Sequence, residues 1–369
     1  MFKLFDSGLC PIGVDAGAHA IRLVQFRRRK NEGDALSLQA ACRIELESLG
    51  AGLSGPAGLA AALKHAQANQ DFAGKSVVLA LPAEIVQTKS VRLPQMPDSD
   101  LSQALQWEAK DRFGFECGGT SGGQLVWFRA GEVRRGTEVK DEILLFAVEG
   151  EILSQYVQAV SDLGLRIAAV DLAPCAIYRS AMRAHAGAIP AGGLGAMLDI
   201  GHKGSQIFIT RGEELVFYKY IDIGGLKINE TVAARLGISP LEAMQMRSRL
   251  ITDPAASEET APLDKALRDA MRAPLEELAK ELDMCMRYFV VTFRGTRPEN
   301  ILISGRQAAC LQVRETLAAA LGLQVEETQP MRGVHDLGDA ARPDRSGEWA
   351  VAAGLSIYSD APAARQEAA

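Results

Sequence analysis

The pattern of apolar and polar positions occurs twice along the chain. In each copy an apolar strand-like run ends in Asp-x-Gly, a tight turn follows, and two further strand-like runs come next. The runs are residues 12–17, 20–26 and 36–42 in the first copy, and residues 196–201, 205–210 and 214–220 in the second. A repeated order of strands and turns predicts two similar lobes that arose by duplication.

A different pattern interrupts the first copy. Between residues 74 and 168 short strand-like runs alternate with two helical ones. The strand patterns lie at 76–81, 86–93, 125–129 and 142–148, and the helical patterns at 98–113 and 152–163. This order predicts a small α+β subdomain inserted into the first lobe.

Helical periodicity accounts for much of the remaining chain. It covers residues 59–70, 228–236, 240–250 and 265–293, with Pro274 expected to start or kink the last helix. We therefore predict an α/β fold in which the first lobe is built from separate segments of the chain. The predicted limits are 1–75, 149–195 and 335–360 for the first lobe, 76–148 for the inserted subdomain, 196–334 for the second lobe and 361–369 for a disordered tail.

Composition and charge exclude several classes of protein. The net charge of −6 argues against a nucleic-acid-binding protein, which usually carries a basic face. No run reaches the about 18 apolar residues of a membrane helix, and residues 1–6 lack the apolar core of a signal peptide. The six cysteines show no CxxC spacing, so free thiols are expected. The sequence predicts a cytoplasmic protein that reaches a membrane only through a partner.

Candidate chemistry lies first at the two DxG turns. Glycine at Gly17 and Gly201 allows a close approach of the backbone to phosphate oxygens. The aspartates before them, Asp15 and Asp199, are suited to hold Mg²⁺ through water molecules, because this ion prefers oxygen ligands. One such turn is weak evidence, since strands often end this way. The duplicated context makes a nucleotide site a stronger hypothesis.

Two other turns have the small residues that ligands need for close approach. Ser304 and Gly305 end an apolar strand and precede a helix, so a purine could lie against the backbone there. Gly224 and Gly225 stand at a predicted helix start, where backbone amides and the helix dipole favour phosphate. Ordinary turns would have the same residues, and the sequence alone leaves both interpretations open.

The order of these motifs resembles the actin-like ATPase superfamily. The similarity is greatest to PilM-type proteins of type IV pilus assembly, and FtsA of cell division is more distant. It covers residues 11–358 and rests on the segments 12–17, 108–115, 170–174, 198–201, 223–239 and 301–305. The resemblance implies two ribonuclease-H-like lobes and a pocket for ATP and Mg²⁺ between them.

The resemblance also implies roles for individual residues. Arg22 stands where the family has a Lys or Arg, and Arg247 where it has a Lys near the base. Asp171 stands in the connecting segment, where it would orient an attacking water if hydrolysis occurs; a strand-end aspartate without such a role is the alternative. Lys203, after the second DxG turn, would bind phosphate or form a surface ion pair.

The chain departs from the family pattern at several positions of the pocket. His19 and His202 stand where small hydroxyl residues are common, Met244 replaces a Glu, and Arg306 replaces a glycine beside the purine. Together these changes predict weakened nucleotide binding. Whether the chain is a weak ATPase or a pseudo-ATPase is left open.

An aromatic group in the inserted subdomain is the candidate for partner binding. At helical spacing Trp107, Phe113 and Phe115 favour a core, and an exposed member would serve as a peptide anchor. The resemblance implies that this region docks the N-terminal cytoplasmic tail of a PilN-like inner-membrane protein. Self-association is left open.

Three alternatives share the same fold. A small-molecule kinase needs a catalytic carboxylate in a substrate pocket, and no segment presents one clearly. An FtsA-like filament protein needs an amphipathic C-terminal helix, which residues 361–369 do not form. The cytoplasmic component of a type II secretion platform usually carries a membrane helix, which the pattern does not predict.

Overall fold

The computed structural model describes residues 8–29, 35–118, 122–135, 137–185, 193–252, 261–293, 295–338, 346–358 and 366–367. The strands are β1 Ile12–Ala16, β2 Ala20–Arg28, β3 Leu36–Glu45, β4 Ser76–Ala80, β5 Gln87–Pro94, β6 Gln124–Arg135, β7 Glu138–Val148, β8 Arg166–Asp171, β9 Leu194–Ile200, β10 Ser205–Arg211, β11 Glu214–Ile221, β12 Asn300–Ser304, β13 Gln324–Glu327, β14 Val334–His335 and β15 Gln366–Glu367. The helices are α1 Leu46–Leu49, α2 Gly55–Asn69, α3 Asp98–Phe113, α4 Gly150–Ser161, α5 Ala173–Ala184, α6 Gly225–Leu236, α7 Pro240–Thr252, α8 Ala261–Phe293, α9 Leu311–Leu321 and α10 Ala350–Ser356.

Two sheets repeat one topology. The first has the order β14-β3-β2-β1-β4-β8 and the second the order β11-β10-β9-β12-β13. In both, three antiparallel strands continue into two parallel ones. The registers also correspond, since Asp15 pairs with Arg22 on β2 and Asp199 with Gln206 on β10. The predicted duplication is therefore present in strand order and in register.

The central strands are apolar because both of their faces are covered. On one face of the first sheet, Val14 and Leu79 pack with Leu59 of α2 and Val160 of α4. On the other face, helices α5 and α10 lie in a core that also includes Met197 of the second sheet. Strands that are buried on both faces have continuous runs of apolar residues in the sequence. This shared core holds the two lobes beside one another.

The inserted subdomain is a separate sheet with the order β15-β6-β7-β5, and α3 covers one face. The prediction that this unit begins at residue 76 is wrong for its first strand, because β4 pairs with β1 and β8 in the first sheet. Only a short 3₁₀ turn, Ala83–Ile85, separates β4 from β5. The strand pattern therefore continues without a break across the boundary between sheets.

Helix α8 excludes one of the two roles expected of Pro274. Pro274 lies inside this 33-residue helix and neither starts nor ends it. Of the predicted tail, only β15 is among the described residues, and it pairs with β6. All six cysteines are free, as predicted. Among the described helices, none has both the length and the apolar character to cross a bilayer.

Candidate functional site

The first DxG turn has a charged network around its aspartate. Arg22 donates from Nη1 to Asp15 Oδ2 at 3.1 Å, and its Nε lies 3.7 Å from Glu348 Oε2. Arg43 reaches the same Glu348 oxygen at 3.2 Å from its Nε. Glu348 comes from a 3₁₀ turn just before α10, and its side chain is fully buried. Two arginines and two carboxylates thus neutralise one another beneath the turn.

The second DxG turn surrounds its aspartate with neutral donors. Ser304 donates from Oγ to Asp199 Oδ1 at 2.8 Å, and Gln206 donates from Nε2 to Asp199 Oδ2 at 3.4 Å. Tyr218 donates its hydroxyl to Gln206 Oε1 at 3.0 Å. Ser304 was predicted to contact a purine. It is fully buried, and its hydroxyl is used to hold Asp199.

The glycines of both turns are required by the turns themselves. A Cβ at Gly17 would lie 2.7 Å from the carbonyl oxygen of Ala20, and a Cβ at Gly201 would lie 2.9 Å from that of Gly204. These are equivalent contacts, to the residue three positions on in each case. The glycines therefore close the hairpins as well as allowing an approach from the cleft.

The double glycine before α6 packs against the second DxG turn. The amide of Gly225 donates a hydrogen bond to the carbonyl oxygen of Gly201 at 2.9 Å, and the amide of Leu226 donates to that of His202 at 2.8 Å. A Cβ at Gly224 would lie 2.7 Å from that same His202 oxygen. The amides of Gly225 and Leu226 are thus used within the protein, which agrees with the ordinary-turn interpretation of this double glycine.

Both turns line one cavity between the lobes, of about 130 Å³. Of the predicted site residues, those that line it are Asp15, Gly17, Arg22, Asp199, Gly201, Lys203, Gly225, Arg247 and Gly305. Three contacts join the lobes at its border. The rings of His19 and His202 stack at 4.7 Å, Lys203 Nζ lies 3.0 Å from Glu84 Oε1, and Arg306 Nη1 lies 3.9 Å from Glu45 Oε1. The cavity is therefore narrow and closed by side chains of both lobes.

Arg247 is a buried cation in the wall of this cavity. Its side chain donates to the carbonyl oxygen of Gly225 at 3.2 Å and to the side-chain oxygens of Asn229 and Gln307. All three acceptors are neutral. Burial lowers the pKa of Arg247 to about 10, which leaves the guanidinium charged at neutral pH. Its positive charge is the part of the site that best suits an anionic ligand.

Burial dominates the titration of the site. It raises the pKa of Asp15 to about 6, against the opposing effect of Arg22, and it also raises the pKa of Asp199. Burial lowers the pKa of His202 to about 4 and that of His19 as well. At neutral pH Asp15 is therefore mostly ionised, and the two stacked histidines are uncharged.

The carboxylates do not fit the predicted magnesium site well. Asp15 is ion-paired with Arg22, and both oxygens of Asp199 accept hydrogen bonds from side chains. Among the described residues, no three His, Cys, Asp or Glu side chains are grouped as metal ligands would be. A cation would compete with Arg22 for Asp15 and would share Asp199 with two hydrogen-bond donors.

A second cavity, of about 280 Å³, lies between the inserted sheet and the first lobe. Its lining is mostly apolar and includes Val126 of β6, Phe146 of β7 and Leu172 before α5. Asp171 lies in this wall, ion-paired with Arg179, and not in the cavity between the DxG turns. The reason is its position on the edge strand β8, two strands away from β1.

The predicted aromatic group is divided by the structure. Phe113 is buried in the core of the inserted subdomain, and Phe115 packs on it with ring centroids 5.9 Å apart. Trp107 is 71% exposed on the opposite side of α3. Only Trp107 is available as a surface anchor.

The sequence analysis missed Glu348, Arg43 and Gln206. The first two meet Arg22 from distant parts of the chain, and no local motif points to them. Gln206 had a usable signal: it lies seven residues after Asp199, as Arg22 lies seven residues after Asp15. The duplicated pattern alone could have identified it.

The family model of the type IV pilus assembly protein PilM matches residues 13–359 of this chain. The chain belongs to the PilM family of type IV pilus assembly proteins. This PilM-family chain also resembles a solved PilM chain from a PilM-PilN type IV pilus biogenesis complex, with a TM-score of 0.73 and 21% identity over 94% of this chain and 97% of the other. No curated protein matches the sequence.

More distant likenesses agree on the fold. The ethanolamine utilization protein EutJ from Carboxydothermus hydrogenoformans has a TM-score of 0.53 at 13% identity, over 95% of this chain and 90% of its own. A diol dehydratase-reactivating factor in nucleotide-free form has a TM-score of 0.52 at 8% identity, over 93% and 98%. The predicted two-lobed, actin-like α/β fold of this PilM-family chain is thereby confirmed.

Proposed function

We propose that this PilM-family chain is a cytoplasmic scaffold at the inner membrane, in which a nucleotide between the lobes controls the docking of a partner's tail. The nucleotide is ATP, bound weakly, and the tail is the N-terminal cytoplasmic segment of a PilN-like membrane protein. The PilM-PilN complex among the similar structures supports this choice of partner. No hydrolytic step is proposed, because Asp171 lies away from the interlobe cavity.

Weak binding follows from the closed cleft. Ligand cavities usually measure about 300–1,000 Å³, whereas this one measures about 130 Å³. A nucleotide therefore enters only when the His19–His202 stack and the Lys203–Glu84 ion pair separate. That opening reduces the apparent affinity by the fraction of molecules in the open state.

We place the docking site in the second cavity. It is larger, it has apolar walls from two subdomains, and it adjoins the sheet strand β6. Two or three apolar side chains of an extended segment would fill it, which is how short peptides gain affinity from pockets. The face around Trp107 is the competing location, since one exposed aromatic ring can anchor a peptide.

The contacts of Gln206 support the proposed control of docking by the nucleotide. This side chain lines both cavities. Its amide nitrogen donates to Asp199 in the nucleotide cleft, and its amide oxygen accepts from Tyr218, which lines the docking cavity. The amide group moves as a rigid unit. A ligand that changes the contacts of Asp199 thus changes the position of the Tyr218 hydroxyl.

Fluorescence anisotropy with a labelled tail peptide of the cognate PilN-like protein tests the docking site. Val126→Asp places a charge in the apolar wall and should weaken binding by about tenfold or more. Trp107→Ala serves as the matched control and should leave the affinity within about twofold. The reverse result would move the docking site to the outer face of α3. No binding to the unmodified chain would contradict the scaffold itself.

A further inference from the structure

The guanidinium of Arg22 lies beside Asp15 in the cavity that both DxG turns line. Its Nη1 lies 3.1 Å from Asp15 Oδ2 and 3.3 Å from the position of a Cβ on Gly17. The guanidinium therefore extends over the first turn, and it lines the cavity. We propose that Arg22 replaces the divalent metal in this cleft, so that the nucleotide binds as the free anion and not as its magnesium complex. This inference rests on the proposed nucleotide function.

The surroundings of Arg22 fix it in this place. Asp15 accepts a hydrogen bond from its Nη1, the Glu348 carboxylate lies 3.7 Å from its Nε, and its side chain is only 17% exposed. Asp199, from the opposite lobe, also acts on it electrostatically. Arg22 thus pairs directly with Asp15 and lines the same cavity as Asp199.

A metal ion would meet unfavourable interactions on each side. At Asp199 it would share both carboxylate oxygens with Ser304 and Gln206, which already donate hydrogen bonds to them. At Asp15 it would have to break the ion pair with Arg22 and would then lie beside a guanidinium of like charge. Repulsion between like charges is strong at such distances in a partly buried site.

The cleft has positive charge for the phosphates without a metal. The cleft is lined by one more cationic side chain than carboxylate. The five cations are Arg22, Arg43, Lys203, Arg247 and Arg306, and the four carboxylates are Asp15, Glu84, Asp199 and Glu348. Arg247 has only neutral acceptors. A phosphate chain would supply the missing counter-charge, and arginine binds phosphate oxygens in pairs.

Calorimetric titration of the full chain with ATP, once with Mg²⁺ and once with EDTA, tests this inference. We expect the two dissociation constants to agree within about threefold. Binding that is about tenfold or more tighter with Mg²⁺ would overturn the inference. Electron paramagnetic resonance with Mn²⁺ and no nucleotide gives a second readout. We expect no bound Mn²⁺, and stoichiometric Mn²⁺ binding would contradict the proposal without reference to ATP.

Substitutions separate the charge of Arg22 from its other contacts. Arg22→Gln gives the first turn the residue type that the second turn has at position 206. This variant should bind ATP in EDTA more weakly, by about tenfold or more, and its remaining binding should depend on Mg²⁺. Arg22→Lys keeps the cation and should retain binding in EDTA within about threefold. If Arg22→Gln does not fold, the unmodified chain and Arg22→Lys still decide the question. An absence of ATP binding in both buffers would overturn the nucleotide proposal, and the Mn²⁺ measurement would still test the metal claim.

Discussion

The two DxG turns have the same backbone and register, but they stabilise their aspartates differently. In the first lobe a cation, Arg22, stands opposite Asp15. In the second lobe an amide, Gln206, stands opposite Asp199, and Ser304 adds a hydroxyl. Duplication thus determines where the side chains lie. The residue at the paired position determines whether a turn carries its own counter-charge.

This difference divides the tasks between the lobes. The first turn is electrostatically closed, with its charges balanced by Glu348 and Arg43. The second turn is linked through neutral hydrogen bonds to the docking cavity. In our account the first turn fixes Arg22 in the cleft, and the second turn transmits the presence of the ligand.

The largest effect is expected from the loss of the cation. Arg22→Gln leaves Asp15 and Glu348 buried with less compensation and should cost about 3–5 kcal/mol of unfolding free energy. Gln206→Met, at the equivalent position, removes only neutral hydrogen bonds and should cost about 1–2 kcal/mol. Urea denaturation measures both values.

The double variant Arg22→Gln with Asp15→Asn is the control for that comparison. It removes both charges of the pair and should recover part of the loss, since fewer uncompensated charges stay buried. Equal losses for Arg22→Gln and Gln206→Met would contradict the distinction between a charged and a neutral turn.

A smaller effect is expected in the pH dependence of stability. The folded-state pKa of Asp15 is raised from 3.8 to about 6, so its contribution is present below the unfolded value and is lost as pH rises through about 6. The folded-state pKa of His202 is lowered from 6.5 to about 4, so its contribution is present above the unfolded value and is lost as pH falls through about 4. The two slopes oppose each other over the same range.

Single substitutions separate these slopes. Asp15→Asn should leave the histidine contribution visible, so that unfolding free energy rises between about pH 4 and 6 by at most about 1.4 kcal/mol per pH unit. Asp199→Asn is the matched variant of the second lobe. Burial also raises the pKa of Asp199, so this substitution should change the slope in the same direction as Asp15→Asn. Thermal or urea unfolding at several pH values provides the measurement. A change of opposite sign for Asp199→Asn would contradict this effect of burial.

Much of the fold could be predicted because its signals are local. A strand, a DxG turn and a second strand lie within about fifteen residues in each copy, and apolar periodicity identifies α3 to the residue. The start of the inserted subdomain was misplaced because β4 and β5 are both strands, and only their hydrogen-bond partners distinguish them.

The site was less accessible to sequence reasoning because its contacts are long-range. Arg22 and Glu348 are separated by most of the chain and meet only after α10 packs on β1. The partners of Asp199 include Ser304 from a strand that follows a 33-residue helix. The sequence indicated nine of the residues that line the cleft. It did not indicate that these residues already neutralise one another.

The most direct test of the account measures the tail peptide's affinity for the unmodified chain with and without saturating ATP. Allosteric coupling typically amounts to about 5-fold or more in affinity, and we expect a change of at least that size. In Gln206→Met the peptide should bind with the same affinity in both conditions. Equal affinity with and without ATP in the unmodified chain would contradict the proposal that the nucleotide cleft controls docking.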